Sequence, residues 1–407
     1  EELRLNRRTA PGLYLGVVAI AGTLDKPVVE GEGPVLDYAV RMRRFAQDDL
    51  LDHRAFAGRL PPEMVDLLAA KIARFHGDAA RARVETDFGS APLVLSAALD
   101  NLATIERIDH DGVLGAVAEL RRWTGEKHAA LLPAFAERKL RGFVRECHGD
   151  LHLGNIVVVD GVPTPFDCIE FDSRLRHIDV MSDVAFTSMD FIRLGYPHLA
   201  ARFVNAYLEH TGDYAGLRVL RYYSVYRAMV RAKVCCIRAH QVDLEDHKRP
   251  AALDEMRRDI DLARKLSQPG RLGLVLMHGV SGSGKTTLSA ELLEAFGAVR
   301  IRSDIERKRL HGLEPLARSG SAPGGGIYGS ADTEGTYGRL LALAREALAD
   351  GYPVIVDATF LRRAQRDAFR ALADALGVPF AIVSCEAPEA RLRDRLDLRD
   401  RSRTDPS

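Results

Sequence analysis

The sequence predicts two domains, an α+β domain followed by an α/β P-loop domain built on a parallel sheet. Three observations carry that expectation. The 407 residues exceed the usual size of one domain. The stretch Gly279-Val280-Ser281-Gly282-Ser283-Gly284-Lys285-Thr286 fits G-x-x-x-x-G-K-[ST] and stands between an apolar run and a helical repeat. Far upstream, Cys147-His148-Gly149-Asp150-Leu151-His152-Leu153-Gly154-Asn155 leads into two short β-rich runs separated by Asp160-Gly161. The boundaries expected are 1–266 for the first domain, 267–271 for a linker and 272–407 for the second.

Bulk composition excludes several classes. Lys+Arg and Asp+Glu both total 57, so no net charge draws the chain to nucleic acid or to an anionic membrane. Hydrophobic content of 46% is ample for ordinary cores. The five Cys lack C-x-x-C spacing, which predicts reduced core residues of a cytoplasmic protein. No apolar run approaches the roughly 20 residues of a membrane span, and no secretory signal is present.

In chain order, residues 1–9 read as a helix stopped by Ala10-Pro11-Gly12. Residues 13–20, 28–29 and 35–42 read as strands. From 61 to 76, Met64, Leu67, Leu68, Ile72 and Phe75 form one apolar face, and 90–145 is mostly helical with Leu99, Leu102, Ile105, Leu114, Leu120 and Trp123 as core candidates. Residues 156–159 and 164–166 read as a hairpin that ends on Asp167. A long helical zone follows over 217–266, with Leu217, Leu220, Tyr223, Val230, Val234 and Ile237 facing inward. Its cations, among them Arg227, face either a site or solvent.

Asp150, Asn155 and Asp167 span 17 residues, yet a loop and a hairpin would bring them together. One carboxylate can take a proton from a substrate hydroxyl, and an amide carbonyl with a second carboxylate can hold Mg²⁺ against phosphates. Singly, each also reads as a turn former, a cap or a strand-end residue.

His148-Gly149-Asp150-x-His152-x-x-Asn155 resembles the catalytic loop of aminoglycoside and choline phosphotransferases, relatives of the protein kinases. The resemblance covers roughly residues 1–240 and implies a protein-kinase-like α+β fold. It implies Asp150 as catalytic base, Asn155 as metal ligand and Asp167 as counterpart of the kinase DFG aspartate. It further implies residues 35–42 as the hinge strand that meets adenine, and Asp179 and Asp183 as buttresses. The family pattern also places a glycine-rich hairpin and a strand Lys ahead of the first helix, paired to a helix Glu. Glu1 or Glu2 suits that Glu, and the missing parts are expected either before residue 1 or lost in a degenerate kinase.

In the second half, residues 272–278 read as a buried strand, and Leu288, Leu292, Leu293 and Phe296 recur at helical spacing after the glycine loop. Strand, loop and helix N-terminus form a phosphate cradle: glycines turn backbone N–H groups inward, and the helix dipole adds positive potential. Lys285 would reach the outer phosphates, the Thr286 hydroxyl would ligate Mg²⁺, and Thr287 continues the loop into the helix. A second strand over 298–301 leads to Asp304, with Arg307 next on a helix. Asp304 suits deprotonation of a hydroxyl beside the γ-phosphate; capping by Ser303 or Asp304 is the alternative. Residues 354–357 read as a strand that ends on Asp357, the Walker B position for Mg²⁺, and 337–348 and 380–384 as a helix and a strand. This half resembles gluconate kinase, zeta toxin and polynucleotide kinase. The resemblance gives Asp304 and Arg307 to the acceptor, and Arg395 and Arg399 to a lid over the phosphates. The chain stops inside that lid, and it is expected to continue past both ends.

Taken together these residues imply ATP-dependent, Mg²⁺-assisted phosphoryl transfer to a hydroxyl of a small molecule, in one site or two. No nucleic-acid or membrane partner is expected, and oligomeric state is open. One rival is a P-loop kinase regulated by a pseudokinase domain. Another is an AAA-type ATPase, against which Val356-Asp357-Ala358-Thr359 lacks the Glu that activates hydrolytic water.

Overall fold

A computed structural model describes residues 1–108, 113–241, 245–314, 317, 329–388, 390 and 392. Its contacts divide the chain into two compact units. Unit 1 comprises Glu1–Gly195 and Val219–Ser267; unit 2 comprises Tyr196–Arg218 and Gln268–Ser407.

Unit 1 is α+β and kinase-like in plan. Helix α1 (Glu2–Asn6) precedes a three-stranded antiparallel sheet in the order β2-β1-β3, formed by β1 (Tyr14–Thr23), β2 (Lys26–Val29) and β3 (Val35–Met42). Four helices follow: α2 (Leu51–Phe56), α3 (Pro62–Asp78), α4 (Ala91–Ile108) and α5 (Leu114–Leu140). Strand β4 (Val144–Glu146) opens the loop at 147–155, and β5 (Ile156–Val159) pairs with β6 (Val162–Pro165). Asp160 and Gly161 both have positive φ, so the hairpin turns on two residues. β6 therefore starts at Val162, earlier than the run 164–166 suggests. Helix α6 (Ser173–Arg176), strand β7 (His177–Asp179) and helix α7 (Val180–Arg193) come next; α8 (Pro197–Thr211) belongs to unit 2, and α9 (Leu217–Ala239) and α10 (Arg249–Ser267) close unit 1.

The helical core joins Leu102 and Ile105 of α4, Leu120 of α5, Phe186 and Met189 of α7, Met229 of α9 and Ile260 of α10. Periodicity placed most of these, with local errors. On α3 the buried stripe is Val65, Leu68, Ile72 and Phe75, at spacings of three and four, so Leu67 falls off it and is exposed. Leu114, Val234 and Ile237 are also exposed rather than core.

Unit 2 is a four-stranded parallel sheet in the order β11-β8-β10-β9. Its strands are β8 (Leu274–His278), β9 (Val299–Arg302), β10 (Val354–Asp357) and β11 (Phe380–Ser384). The crossovers carry α11 (Lys285–Phe296), α12 (Ser303–Leu310), α13 (Ser330–Ala349) and α14 (Arg363–Leu376). Leu274, Leu276, Ile301, Ile355 and Val356 are fully or almost fully buried, as strands covered on both faces require.

Helix α8 lies along β9, the edge of that sheet. The Asn205 side chain donates Nδ2–H to the Ala298 carbonyl at 2.8 Å, and its Oδ1 accepts the Arg300 N–H at 2.6 Å. One amide thus stands in for the missing neighbouring strand, which satisfies backbone groups that an open edge would leave unpaired. Arg202 pairs with Glu294 of α11 at 2.8 Å on the same helix.

Candidate functional site

In unit 1 the loop 148–155 is pinned by α7. The Asp183 carboxylate accepts the His148 N–H at 2.8 Å and the Gly149 N–H at 3.0 Å. Thr187 donates its hydroxyl to the Leu151 carbonyl at 2.7 Å, and Asp190 accepts the Leu153 N–H at 2.9 Å. Residues 183, 187 and 190 fall on one helical face, so a single helix holds four successive points of the loop. Gly149 is required: its φ is +89°, and a Cβ there would sit 2.8 Å from the Leu175 carbonyl oxygen.

Within the loop, Asn155 donates Nδ2–H to the Asp150 carbonyl and to Asp150 Oδ2, both at 3.0 Å. That leaves the Asn155 side-chain Oδ1 for a cation. His148 accepts the Asp150 N–H on Nδ1 and donates Nε2–H to the Phe166 carbonyl at 2.8 Å, which fixes a neutral ring; burial lowers its pKa. His152 accepts the Gly154 N–H on Nδ1, so its Nε2–H faces Asp150 Oδ2 at 3.5 Å. Burial pushes the Asp150 carboxyl up. The hydrogen bond from His152 and the Arg227 guanidinium, among the groups that lower it, outweigh burial, and the net pKa falls to about 2. Asp150 is therefore a carboxylate at working pH, free to accept a proton as a hydroxyl attacks.

The hairpin returns Asp167 to this loop, since the Phe166 N–H binds the Asn155 carbonyl at 2.9 Å. Asp167 takes φ +63° and donates its N–H to the Tyr14 hydroxyl at 3.1 Å. Burial raises its pKa, with the Asp150 and Glu170 carboxylates adding to the rise. An electronegative spot of that kind fits a divalent cation held between Asn155 and Asp167. The sequence singled out Asp150, Asn155, Asp167, Asp179 and Asp183; it did not single out Thr187 and Asp190, whose signal is their spacing from Asp183. Asp179 takes a buried bidentate pair with Arg138 at 2.6 and 2.8 Å and accepts the Met181 N–H at the head of α7. Arg227, left open above, is buried against the Ser182 hydroxyl at 3.1 Å and not solvated. Glu1 ion-pairs with Arg4 and Arg176, whereas Glu2 has its pKa raised by burial and by the charges of Glu170 and Asp167.

In unit 2 the glycine loop runs from β8 to the start of α11. Gly279, Gly282 and Gly284 all take positive φ, and a Cβ at Gly279 would meet the Cys385 carbonyl oxygen at 2.4 Å. Lys285 is buried and donates Nζ–H to the Val280 carbonyl at 2.8 Å, curling back over its own loop. The Ser281 and Ser283 hydroxyls are buried without a hydrogen-bond partner. The glycine loop with Lys285 beside it fits an anion such as a phosphate chain. Gly282, Gly284, Lys285, Thr286, Arg302, Asp304, Asp357 and Thr359 are among the residues around a cleft of about 390 Å³. Thr287 lies one step outside and is exposed.

Asp357 stands directly beside the P-loop strand, in register with Met277, and accepts the Ser289 hydroxyl at 3.1 Å. With Thr286 it could hold Mg²⁺ at the head of α11. Asp304 lies in the first turn of α12 and pairs with Lys308 at 2.9 Å, a partner the sequence did not single out. The capping alternative is not realised: the N-cap is Arg302, and no side chain caps the helix. Arg307 turns its guanidinium to the Thr333 hydroxyl on α13 at 3.3 Å, while Asp304 lines the cleft. Arg395 and Arg399 lie outside the described residues.

All five Cys are buried and none is in a disulfide. Among the described residues no helix is long and apolar enough to cross a membrane.

Comparison with known proteins gives likenesses of different strength. Residues 274–407 match the AAA_33 family, an AAA domain. An ethanolamine kinase of Plasmodium vivax aligns with 55% of this chain and 65% of its own, at 11% identity and a TM-score of 0.34. A glucosamine kinase aligns with 58% of this chain and 64% of its own, at 17% identity and a TM-score of 0.34. The chain thus spans just under two thirds of each of these solved structures. At that level of likeness neither carries an argument. The uncharacterized proteins Rv2004c of Mycobacterium tuberculosis and Mb2027c of Mycobacterium bovis are 31% identical over 397 residues, which cover 97% of this chain and 77% of each relative. By that extent and identity the chain belongs to the family of these mycobacterial proteins.

Proposed function

We propose that the chain is an ATP-dependent phosphotransferase that acts on a hydroxyl of a small molecule, with a nucleotide site in each unit. The observation that carries this reading is the cleft of unit 2. A glycine cradle (Gly282 and Gly284), a cation (Lys285), a metal-ligating pair (Thr286 and Asp357) and an acid at the next strand tip (Asp304) converge on one space. Phosphoryl transfer requires little covalent chemistry, and these groups supply its positioning and charge neutralisation. Mg²⁺ would neutralise phosphate charge at both sites. Lys285 would orient the outer phosphates, and Asp304 would receive the acceptor proton. In unit 1 Asp150 would do the same, oriented by Asn155 and His152.

A hydrolytic ATPase is the second reading, favoured by the family match of unit 2. Against it, Ala358 and Thr359 follow Asp357 at the cleft wall, so the position next to this Asp carries no carboxylate to activate water. The test is transfer of labelled γ-phosphoryl from ATP to a panel of amino sugars, amino alcohols, polyols and nucleosides. The full-length chain, Lys285→Ala and Asp150→Asn would be compared. Label on an acceptor that is lost in Lys285→Ala supports the reading. Release of inorganic phosphate alone, unaffected by any acceptor, sinks it.

A further inference from the structure

Strand β9 ends in a cation that the P-loop motif does not include. Arg302 lines the cleft beside Lys285, Asp304 and Asp357, and its Nη1 donates to Glu209 Oε2 at 3.2 Å. The other oxygen of Glu209 accepts from Arg300 Nη2 at 2.9 Å. Arg309 reaches the Glu209 backbone carbonyl at 2.6 Å. Glu209 lies on α8, more than sixty residues before the glycine loop, and its side chain is 14% exposed. The helix that carries it is fixed to the sheet edge by Asn205 and Arg202. Burial disfavours the Arg302 charge, but Glu209, Asp357 and Asp304 more than restore it.

We infer that Arg302 is a further phosphate-binding residue of the unit 2 cleft, and that Glu209 is the positioning residue that holds its guanidinium toward the γ-phosphate. The inference rests on the P-loop reading of that cleft. A long Arg side chain has several rotamers, and most would point out of the site. A carboxylate that takes one face of the guanidinium leaves the remaining N–H donors free for phosphate oxygens, in fixed directions. Glu209 engages Arg300 and Arg302 together, so its own position is determined from two sides. A segment earlier in the chain than the P-loop thereby becomes part of the P-loop site.

The test is binding of ADP and of the non-hydrolysable triphosphate AMP-PNP, with Mg²⁺, to the full-length chain. All variants carry Asp167→Ala so that unit 1 adds no metal-dependent signal. Arg302→Ala is expected to lower AMP-PNP affinity about tenfold while ADP affinity stays within about twofold, since only the triphosphate offers a γ-group. Glu209→Gln keeps the shape and removes the charge; it is expected to lower the AMP-PNP preference about threefold. Arg302→Lys is expected to recover part of that preference. Asn205→Ala loosens α8 without touching the Glu209–Arg302 pair, so it is expected to lower the melting temperature and leave the preference intact. An unchanged preference in Arg302→Ala overturns the inference. Equal weakening of both nucleotides by Glu209→Gln, or an equal loss of preference in Asn205→Ala, also overturns it, because a merely structural role would give those results. If Lys285→Ala binds both nucleotides as before, the P-loop reading itself fails, a result distinct from failure of Arg302.

Discussion

Asp183→Ala tests whether the unit 1 loop is held in place by α7. Asp183 is fully buried and accepts the N–H groups of His148 and Gly149, with His76 Nε2 3.4 Å from the same carboxylate. Truncation orphans two buried backbone donors, each worth about 1–3 kcal/mol. Relief of the buried charge offsets part of this, so a net loss of about 3 kcal/mol is expected. The loop would also lose the restraint that sets the Asp150 backbone. The assay is urea denaturation read together with amide exchange of peptides covering 146–156. A lowered unit 1 midpoint with the slope unchanged is expected, together with faster exchange in that segment. A loss below about 1 kcal/mol with exchange unaltered would refute the argument that these two bonds fix the loop.

Three further outcomes follow. Asp304→Asn should abolish transfer to the acceptor and leave ATP affinity within a few-fold, because a base acts only as the proton leaves; retained transfer with weakened ATP binding would instead make its Lys308 pair the point of the residue. Asp150→Asn should stop unit 1 transfer without weakening nucleotide binding, whereas Asn155→Ala and Asp167→Ala should raise the Mg²⁺ concentration needed; if all three behave alike, the division between base and metal ligands is wrong. Glu146 accepts from Arg4, Arg8 and Arg176, and the Arg4 hydrogen bonds foremost bring its pKa down to about 2. A depressed folded pKa means stability present above the unfolded value and lost as pH falls toward about 2. Glu146→Gln should therefore cost on the order of 3 kcal/mol at pH 7 and shrink to nothing in acid. A cost that does not vary with pH would assign the loss to packing.

Legibility in the sequence followed the physics of each signal. The glycine loop was readable because phosphate binding demands backbone shapes that only glycine adopts, and Gly279, Gly282 and Gly284 all show them. The triad of Asp150, Asn155 and Asp167 was readable because a short hairpin leaves few ways to place its ends. Helix α8 was not, since its partner strand lies roughly ninety residues further on and no local pattern marks Asn205 or Glu209 as sheet-facing. The pairing of Lys308 with Asp304 escaped for a related reason: a Lys four residues after an Asp reads as an ordinary surface pair, and burial alone distinguishes this one. Thr187 and Asp190 were hidden inside an almost wholly buried helix, where amphipathic periodicity has nothing to contrast.

The central claim is that each unit holds its own Mg²⁺-dependent nucleotide site. Calorimetric stoichiometry of ATP binding to the full-length chain tests it directly. At a Mg²⁺ concentration that just saturates the unaltered chain, the account predicts two sites per chain, one in Lys285→Ala, one in Asp167→Ala, whose Mg²⁺ requirement is raised, and none in the double variant. Binding that is unchanged in Lys285→Ala would contradict it.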